Sequence, residues 1–203
     1  MNARATVFAI DDNSLIRDWL TLLLEQEDIA IEAFDSAESF LEAYRPLPRS
    51  CAILDIHMPG MDGMQLQAEL SRRGVLLPII FLTGQGDISL SVCAIKAGAI
   101  DFLTKPVRHT TLLESVQAAL RESERLTMQA EAINSAMARV ASLTERERQV
   151  MALAIDGLPN KKVARHLGIS HRTVEIHKAR IMHKTGAGNL LDLARIANLR
   201  NAG

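Results

Sequence analysis

The stretch "ILDIHMPGMDG", from Ile53 to Gly63, decides the fold of the first part of the chain. Apolar residues run directly into the carboxylate of Asp55, and Pro59 and Gly60 then provide a turn. A short apolar run without polar alternation is typical of a strand buried on both faces of a parallel sheet. Asp55 is therefore predicted to lie at the carboxyl end of a central strand, where doubly wound sheets bind their ligands.

Similar apolar runs flank this stretch and alternate with amphipathic segments of helix length. The runs are "TVFAI", "IAIEAF", "CAIL", "PIIFL" and "DFL", and the first amphipathic segment is "NSLIRDWLTLLLEQE". Asp35 or Ser36 is expected to cap the second helix, and Gly74 and Gly98 stand where helices are expected to end. This βαβα alternation predicts a parallel α/β sheet with helices on both faces.

Polar side chains follow four of the predicted strands. Strand one ends in Asp11 and Asp12, strand three in Asp55 and strand four in Thr83, and Lys105 follows strand five. Because adjacent strands lie about 4.8 Å apart, these groups can converge at one edge. Three close carboxylates require a shared proton or a cation, and oxygen ligands suit Mg²⁺. Together with the Lys105 ammonium and the Thr83 hydroxyl, such a cation would suit this edge to a phosphoryl group. Asp55 is the best candidate for the phosphoryl acceptor, because it stands alone on a central strand whereas Asp11 and Asp12 are placed as metal ligands.

Charge is divided unevenly along the 203 residues, although the net charge is only -1. Met1 to Ser142 carries 12 basic and 19 acidic residues, whereas Leu143 to Gly203 carries 11 basic and 5 acidic residues. The chain is thus expected to hold two modules with different partners, the basic one binding nucleic acid. No apolar run approaches the roughly 20 residues that span a bilayer, so a cytoplasmic protein without membrane contact is expected. Cys51 and Cys93 are expected to be small core residues in a reducing compartment.

The segment from His109 to Val140 contains no glycine or proline and predicts one long helix. Its front half is expected to pack on the sheet. Its back half could pair with the same helix of a second subunit, or it could be a solvated linker. Small and apolar residues recur with alternating spacings of four and three, as in a heptad seam: Leu112, Val116, Ala119, Ser123, Leu126, Ala130, Ile133, Met137 and Val140.

From Leu143 onward the pattern is helical throughout. Thr144 and Glu147 form a capping box, and "NKKVARHLGISHRTVEIHKARIMHK" reads as two helices joined by a turn at Leu167 to Ile169. Ser170 is expected to cap the second of these helices. The basic module is therefore predicted to be a helix-turn-helix domain.

The second helix of this unit has two distinct faces. Val174 and Ile181 are expected to face the core, with position 177 or 178 completing that face. The opposite face is expected to enter the major groove, where Glu175 could accept from a cytosine amino group and Ile176 could touch a thymine methyl group. That face carries Arg172, Glu175, Ile176, Ala179 and His183. Phosphate contacts are predicted for Lys161, Lys162, Arg165, Arg172, Thr173, Lys178, Arg180 and Lys184, each of which could instead be an ordinary solvated residue.

Residues 1–122 resemble the receiver domain of two-component response regulators. The resemblance lies in Asp11-Asp12, Asp55 within "DIHMPGMDG", Thr83 within "LTGQGD", and Lys105-Pro106. It implies a flavodoxin-like sheet of order 2-1-3-4-5. It also implies that Asp55 accepts a phosphoryl group from a sensor histidine kinase.

The same resemblance implies a Mg²⁺ site and a switch. Asp12 and Asp55 would ligate the ion directly, Asp11 through water, and His57 through its backbone carbonyl. A cis peptide bond is implied before Pro106. After phosphorylation Thr83 would move toward the phosphoryl group, Phe102 would turn inward, and the face around the fourth helix and fifth strand would dimerise or release the DNA-binding domain.

Residues from 143 to about 200 resemble the four-helix DNA-binding domain of the LuxR/NarL/FixJ class. The matching stretches are "LTERERQVM", "NKKVARHLGIS" and "RTVEIHKARIMHKTG", and "TGQGD" points to the FixJ-like subgroup. We therefore expect a receiver over 1–122, a helical linker over 123–142 and a LuxR-type helix-turn-helix domain over 143–203. The implied function is phosphorylation-dependent transcription regulation, as an activator, with a kinase, double-stranded promoter DNA and RNA polymerase as partners and a homodimer formed on phosphorylation.

Two other functions predict different residues at this edge of the sheet. An aspartate-based phosphatase typically carries a second acid two residues after its nucleophile, but His57 stands there. We therefore expect no enzyme beyond slow self-phosphorylation and self-dephosphorylation, and the His57 side chain is expected to tune access to the phosphoryl group. A receiver that ignores phosphate would be expected to lack Asp55, Lys105 or the acidic pair, and the sequence retains all of them.

Overall fold

The computed structural model describes residues 4–84 and 88–198, and contacts within the chain divide it into two compact units, Met1–Met128 and Gln129–Gly203. The first unit is α/β, as predicted, and the second is helical. The elements that begin in the first unit are β1 (Thr6–Ile10), α1 (Ser14–Gln26), β2 (Ala30–Phe34), α2 (Ala37–Ala43), β3 (Ser50–Leu54), α3 (Gly63–Arg72), β4 (Ile79–Thr83), α4 (Ile88–Lys96), β5 (Asp101–Thr104) and α5 (His109–Ala141).

The five strands form one parallel sheet of order β2-β1-β3-β4-β5, which confirms the predicted order. Ile10 pairs with Leu54, and Thr83 pairs with Thr104, so the carboxyl ends of these strands meet at one edge. Along β1, Val7 faces a core layer that includes residues of α1 and α5, whereas its neighbour Phe8 faces the layer that includes residues of α2 and α3. Both faces are thus covered, which explains why the strands are continuously apolar.

The local signals for helix ends are confirmed. The Ser36 side chain caps α2 by accepting from the Ser39 amide, and Gly74 and Gly98 take positive φ angles just beyond α3 and α4. The expectation for Cys93 was wrong. Cys51 is buried in β3, but Cys93 is exposed, because its neighbour Ala94 is the residue of α4 that faces the core.

The long helix α5 extends over 33 residues and confirms the prediction for this segment. Leu112, Val116 and Ala119 are buried against the sheet. The buried Ser123 hydroxyl accepts a hydrogen bond from the Ser50 amide at 3.0 Å, which explains a polar residue on this seam. Beyond this point Leu126, Ala130 and Ile133 are half-buried, Met137 is exposed, and Val140 is buried in the core of the second unit. The pairing of this seam with a second subunit stays a prediction.

The second unit contains the end of α5 and four further helices. Gly168 has a φ of +66° between the second and third of these, a left-handed conformation that glycine adopts readily. Ser170 caps the third helix by accepting from the Thr173 amide, so the helix-turn-helix prediction is confirmed. Among residues 4–84 and 88–198, no helix combines the length and apolarity needed to cross a membrane. The helices are α6 (Glu145–Ile155), α7 (Asn160–Leu167), α8 (His171–Thr185) and α9 (Leu190–Asn198), around a core that includes Val150, Val163, Val174, Ile181 and Leu193.

Candidate functional site

Three carboxylates, those of Asp11, Asp12 and Asp55, meet at the carboxyl edge of the sheet. Together they form the acidic edge. One ligand oxygen from each lies within 4.8 Å of the other two. Asp11 and Asp55 retain only 3% and 6% of their exposure, whereas Asp12 is exposed. The predicted convergence of these side chains is therefore present in the fold.

The Lys105 ammonium lies between two of these acids. Its Nζ is 2.6 Å from Asp11 Oδ2 and 3.1 Å from Asp55 Oδ1. Burial alone would lower the pKa of Lys105, but the hydrogen bonds to the two carboxylates outweigh burial and raise it. Burial raises the pKa of Asp55, and the hydrogen bond and charge of Lys105 counteract that effect. The lysine thus neutralises part of the negative charge that the fold concentrates here.

Main-chain amides hold the two buried carboxylates in place. Asp55 Oδ2 accepts from the His57 amide at 3.0 Å, and Asp11 Oδ1 accepts from the Asn13 amide at 2.9 Å. The side chain of His57 is exposed, and its role in tuning access to the phosphoryl group stays a prediction. Asp55 Oδ1 is the oxygen bound by Lys105.

The remaining predicted residues lie on the neighbouring strands. Thr83 is fully buried at the end of β4, and its carbonyl accepts from the Lys105 amide at 2.8 Å. The peptide bond before Pro106 is cis, as the resemblance implied. Phe102 is half-buried with its ring 6.3 Å from that of Phe81. Residues 85–87 of the "TGQGD" motif lie outside the described part of the chain.

The donor set of the acidic edge fits Mg²⁺. It consists of carboxylate oxygens, which are hard ligands, and the cluster holds no nitrogen or sulfur ligand. Within the described ranges, the Asp12 carboxylate has neither a hydrogen bond nor an ion pair, so it is available to a cation. Mg²⁺ held by Asp11, Asp12 and Asp55 would neutralise negative charge on the oxygens of a phosphoryl group that enters the site.

Gly63 supports the loop after Asp55, a role that its local sequence does not indicate. A Cβ atom at this position would lie 2.3 Å from the Asp55 carbonyl oxygen and 3.0 Å from Ile56 Cα. The Gly63 amide also donates to the Ile56 carbonyl at 2.9 Å. The first turn of α3 therefore touches the main chain of the predicted phosphoacceptor, and only glycine leaves room for that approach.

We expect Gly63→Ala to displace the Asp55 loop and to destabilise the first unit by about 1–3 kcal/mol, because the added methyl group overpacks against main-chain atoms. Urea unfolding of the full chain measures the change. Gly84→Ala is the matched control, since a Cβ there meets nothing within 4 Å and its φ is not positive. Equal unfolding midpoints for the two variants would contradict this role of Gly63.

In the second unit, α8 presents the face that the sequence predicted. Val174 and Ile181 are buried, whereas Arg172, Glu175, Ile176, Ala179 and His183 are exposed. Ile176 keeps 45% of its exposure, so its side chain can reach a partner from this face. Lys161, Lys162, Arg165 and Arg180 are exposed too, Thr173 is half-buried, and the phosphate contacts of all these residues stay predictions.

Two of the predicted phosphate-binding lysines have partners inside the unit. Lys178 Nζ lies 3.0 Å from Asn160 Oδ1 of α7. Lys184 Nζ lies 2.7 Å from the Oε2 atom of Glu147, which retains only 3% of its exposure. These contacts tie α8 to α7 and α6, so both lysines help to position α8.

Glu147 has a strongly lowered pKa of about 2, against an ordinary value of 4.5. The largest cause is the hydrogen bond from Lys184, followed by the hydrogen bond from the Thr144 amide. A carboxylate with a depressed folded pKa stabilises the folded state fully above pH 4.5, and this contribution is lost as the pH falls toward 2.

We expect Glu147→Gln to destabilise the second unit at pH 7 by about 1.5–3 kcal/mol, the usual contribution of hydrogen bonds to a charged group. The difference from wild type should shrink between pH 4.5 and 2, where the wild-type carboxylate takes up its proton. NMR signals of the Val174 and Ile181 methyl groups during urea titration of the full chain measure it. Glu145→Gln, which removes the exposed partner of Arg148, is the control; a difference independent of pH would contradict the assignment to Glu147.

Comparison with known proteins places both units in established families. Residues 7–117 match the response regulator receiver domain. Residues 141–197 match the bacterial regulatory proteins of the luxR family. The two matches contain the acidic edge and the helix-turn-helix unit, respectively.

Relatives share this arrangement over nearly the whole chain. The transcriptional regulatory protein FixJ of Azorhizobium caulinodans is 42% identical, with 95% of this chain and 92% of that protein covered. The response regulator protein TodT of Pseudomonas putida is 38% identical, with coverage of 97% and 87%.

Solved structures show the same likeness. The response regulator StyR has a TM-score of 0.81 at 39% identity, with 97% of this chain and 99% of that one covered. Full-length FixJ from B. japonicum has a TM-score of 0.59 at 38% identity, with 100% of both chains covered. The chain therefore belongs to the FixJ-like response regulators, phosphorylation-dependent transcription regulators in which a receiver domain precedes a LuxR-type DNA-binding domain.

Proposed function

We propose that Asp55 is the phosphoacceptor of this regulator, within a receiver over 1–122. The observation that carries the proposal is the Lys105 ammonium, which binds Asp55 Oδ1 at 3.1 Å and Asp11 Oδ2 at 2.6 Å. A carboxylate oxygen of Asp55 attacks phosphorus, and the bond from phosphorus to the nitrogen of a kinase phosphohistidine breaks. The histidine leaves with the electron pair of that bond, and Asp55 becomes an acyl phosphate.

The surrounding groups are suited to hold this product. A phosphoryl group carries about two negative charges, which Lys105 and Mg²⁺ at the acidic edge would balance. The Thr83 hydroxyl is proposed to bind the phosphoryl group. The His57 backbone carbonyl is proposed to be a further ligand of the metal. Because Phe102 packs beside β4, movement of Thr83 would be transmitted to the face formed by α4 and β5.

Phosphorylation is then proposed to promote a homodimer and binding of two DNA half-sites. The linker is proposed to span 123–142 and the DNA-binding domain 143–203. Exposed cations around α7 and α8 support binding to phosphates, and the exposed side chains of α8 support reading of bases in the major groove. In the cytoplasm the dimer would activate transcription with RNA polymerase; the FixJ relatives are transcriptional regulatory proteins, which supports a role in transcription.

The test uses purified full-length protein with Mg²⁺ and acetyl phosphate, whose phosphorus–oxygen bond to acetate breaks in place of the histidine bond. Intact mass and solution molecular weight are recorded together. We expect one phosphoryl group per chain and a shift from monomer toward dimer. A phosphorylated monomer would overturn the proposed dimer, and a folded protein that gains no phosphoryl group from acetyl phosphate or a kinase would overturn the proposed acceptor.

A surface beside the acidic edge is suited to a kinase. Leu15 and Leu22 on α1 are 74% and 63% exposed, and Trp19 lies between them at helical spacing. A cleft of about 490 Å³ beside them is lined by Trp19, Lys105 and Pro106. Leu15, Trp19 and Leu22 lie at helical spacing on α1, and a contiguous exposed apolar patch is typical of a protein-binding surface.

We expect Leu15→Ser with Leu22→Ser to slow phosphorylation by the kinase at least about tenfold, the effect of losing about 1.4 kcal/mol of docking free energy. Phosphorylation by acetyl phosphate should stay unchanged, because neither side chain belongs to the acidic edge. Leu76→Ser is the matched control, as Leu76 is 62% exposed and precedes β4 at the opposite edge of the sheet. Equal loss with both phosphate donors would argue against docking.

A further inference from the structure

Arg17, the fourth residue of α1, makes a contact with the acidic edge that the proposed chemistry does not use. Its Nη1 atom donates to the main-chain carbonyl of Asp11 at 2.6 Å. The side chain is half-buried, and its own carbonyl accepts from the Thr21 hydroxyl. The guanidinium thus joins α1 to the turn that carries Asp11 and Asp12.

The three carboxylates of the acidic edge are held in different ways. Asp11 has partners on both oxygens, from the Asn13 amide and from Lys105, and Asp55 has the His57 amide and Lys105. Asp12 has no such partner within the described ranges, although its ligand oxygen lies within 4.8 Å of the other two. Its carboxylate is therefore aimed only by the main chain of the turn between β1 and α1.

We propose that Arg17 is a positioning residue for the metal site: its hydrogen bond to the Asp11 carbonyl fixes the turn and thereby directs the Asp12 carboxylate toward the cation. Outer-shell contacts that orient metal ligands are commonly worth 10- to 100-fold in metal affinity. This inference rests on the proposed function only in taking the acidic edge as a metal site, and it requires no phosphoryl transfer.

A second effect of Arg17 opposes the first. Its positive charge repels a divalent cation, so removal of that charge alone would tighten metal binding. The direction of the change therefore decides between the two effects. Positioning predicts weaker binding when Arg17 is truncated, and simple repulsion predicts stronger binding.

The experiment titrates the unphosphorylated full-length protein with Mn²⁺, measures the free ion by electron paramagnetic resonance, and obtains Mg²⁺ affinity by competition. We expect Arg17→Met to weaken binding of both ions about tenfold. Arg17→Lys, which keeps a charge and a donor, should lie closer to wild type. Arg73→Met, which removes an exposed cation paired with Glu69 on α3, should have no effect.

A double-mutant cycle with Asp12→Asn tests whether Arg17 acts through Asp12. In the Asp12→Asn background, Arg17→Met should weaken Mn²⁺ binding by less than about a further twofold, because the carboxylate that Arg17 directs is already lost. Wild-type or tighter binding by Arg17→Met, or a full tenfold loss in the Asp12→Asn background, would overturn the proposal. If Arg17→Met fails to fold, Arg17→Gln is measured instead, since the shorter glutamine side chain also cannot reach the Asp11 carbonyl. A wild-type protein that binds no Mn²⁺ would overturn the metal site itself, whatever the outcome of phosphorylation.

Discussion

Asp55→Asn is expected to abolish phosphoryl uptake from acetyl phosphate. The amide has the shape of the carboxylate but is not a nucleophile at neutral pH, so no acyl phosphate can form. The variant should remain folded, because the loss of one charge reduces repulsion with Asp11 while the His57 amide keeps an oxygen acceptor. Intact mass after incubation with Mg²⁺ measures the result, and the dimer should be lost with the phosphoryl group.

Asp35→Asn is the matched control for this prediction. Asp35 follows β2, is exposed, and lies outside the acidic edge. It should therefore gain one phosphoryl group as wild type does. Uptake by Asp55→Asn at the wild-type rate would place the phosphoryl group on another residue.

Ile176→Ala is expected to weaken specific DNA binding by about 1–3 kcal/mol, or roughly 5- to 150-fold, because the exposed side chain stands on the face of α8 that we propose reads bases. Binding to unrelated DNA should be nearly unchanged, since an aliphatic group makes no phosphate ion pair. Fluorescence anisotropy with a duplex selected in vitro by the phosphorylated wild-type protein measures the specific affinity. The preferred sequence should relax at one position of each half-site.

Lys162→Ala gives the opposite signature and serves as the comparison. Lys162 is exposed on α7, so its loss should weaken binding to specific and unrelated DNA alike. The slope of log affinity against log salt concentration should become shallower by about one, because one fewer counterion is released on binding. If Ile176→Ala weakens both kinds of DNA equally, or leaves the specific affinity unchanged, α8 does not read bases through this residue.

Much of the fold could be predicted from the sequence because each level of the pattern indicates the same structure. The strands of a parallel sheet are buried on both faces, so residues such as Ile53 and Leu54 form continuous apolar runs. Polar residues that end such runs must meet at one edge, and Asp11, Asp55 and Lys105 do so. The capping box at Thr144 and the turn at Gly168 are local signals of the same reliable kind.

The features that escaped prediction depend on contacts between distant residues. Glu147 and Lys184 are 37 positions apart, and nothing in either local sequence shows that one neutralises the other. The local sequence of Gly63 shows no special role, since only the folded chain brings the Asp55 carbonyl against it. Cys93 lies in an apolar segment, but the orientation of α4, which turns Ala94 inward, leaves the cysteine exposed.

The most direct measurement compares the affinity of the full-length protein for the selected duplex before and after treatment with Mg²⁺ and acetyl phosphate, with the phosphorylated fraction read by intact mass. If phosphorylation of Asp55 controls DNA binding, the affinity rises with the phosphorylated fraction in wild type and stays at the untreated level in Asp55→Asn. Equal affinity for the duplex at zero and full phosphorylation would contradict that control.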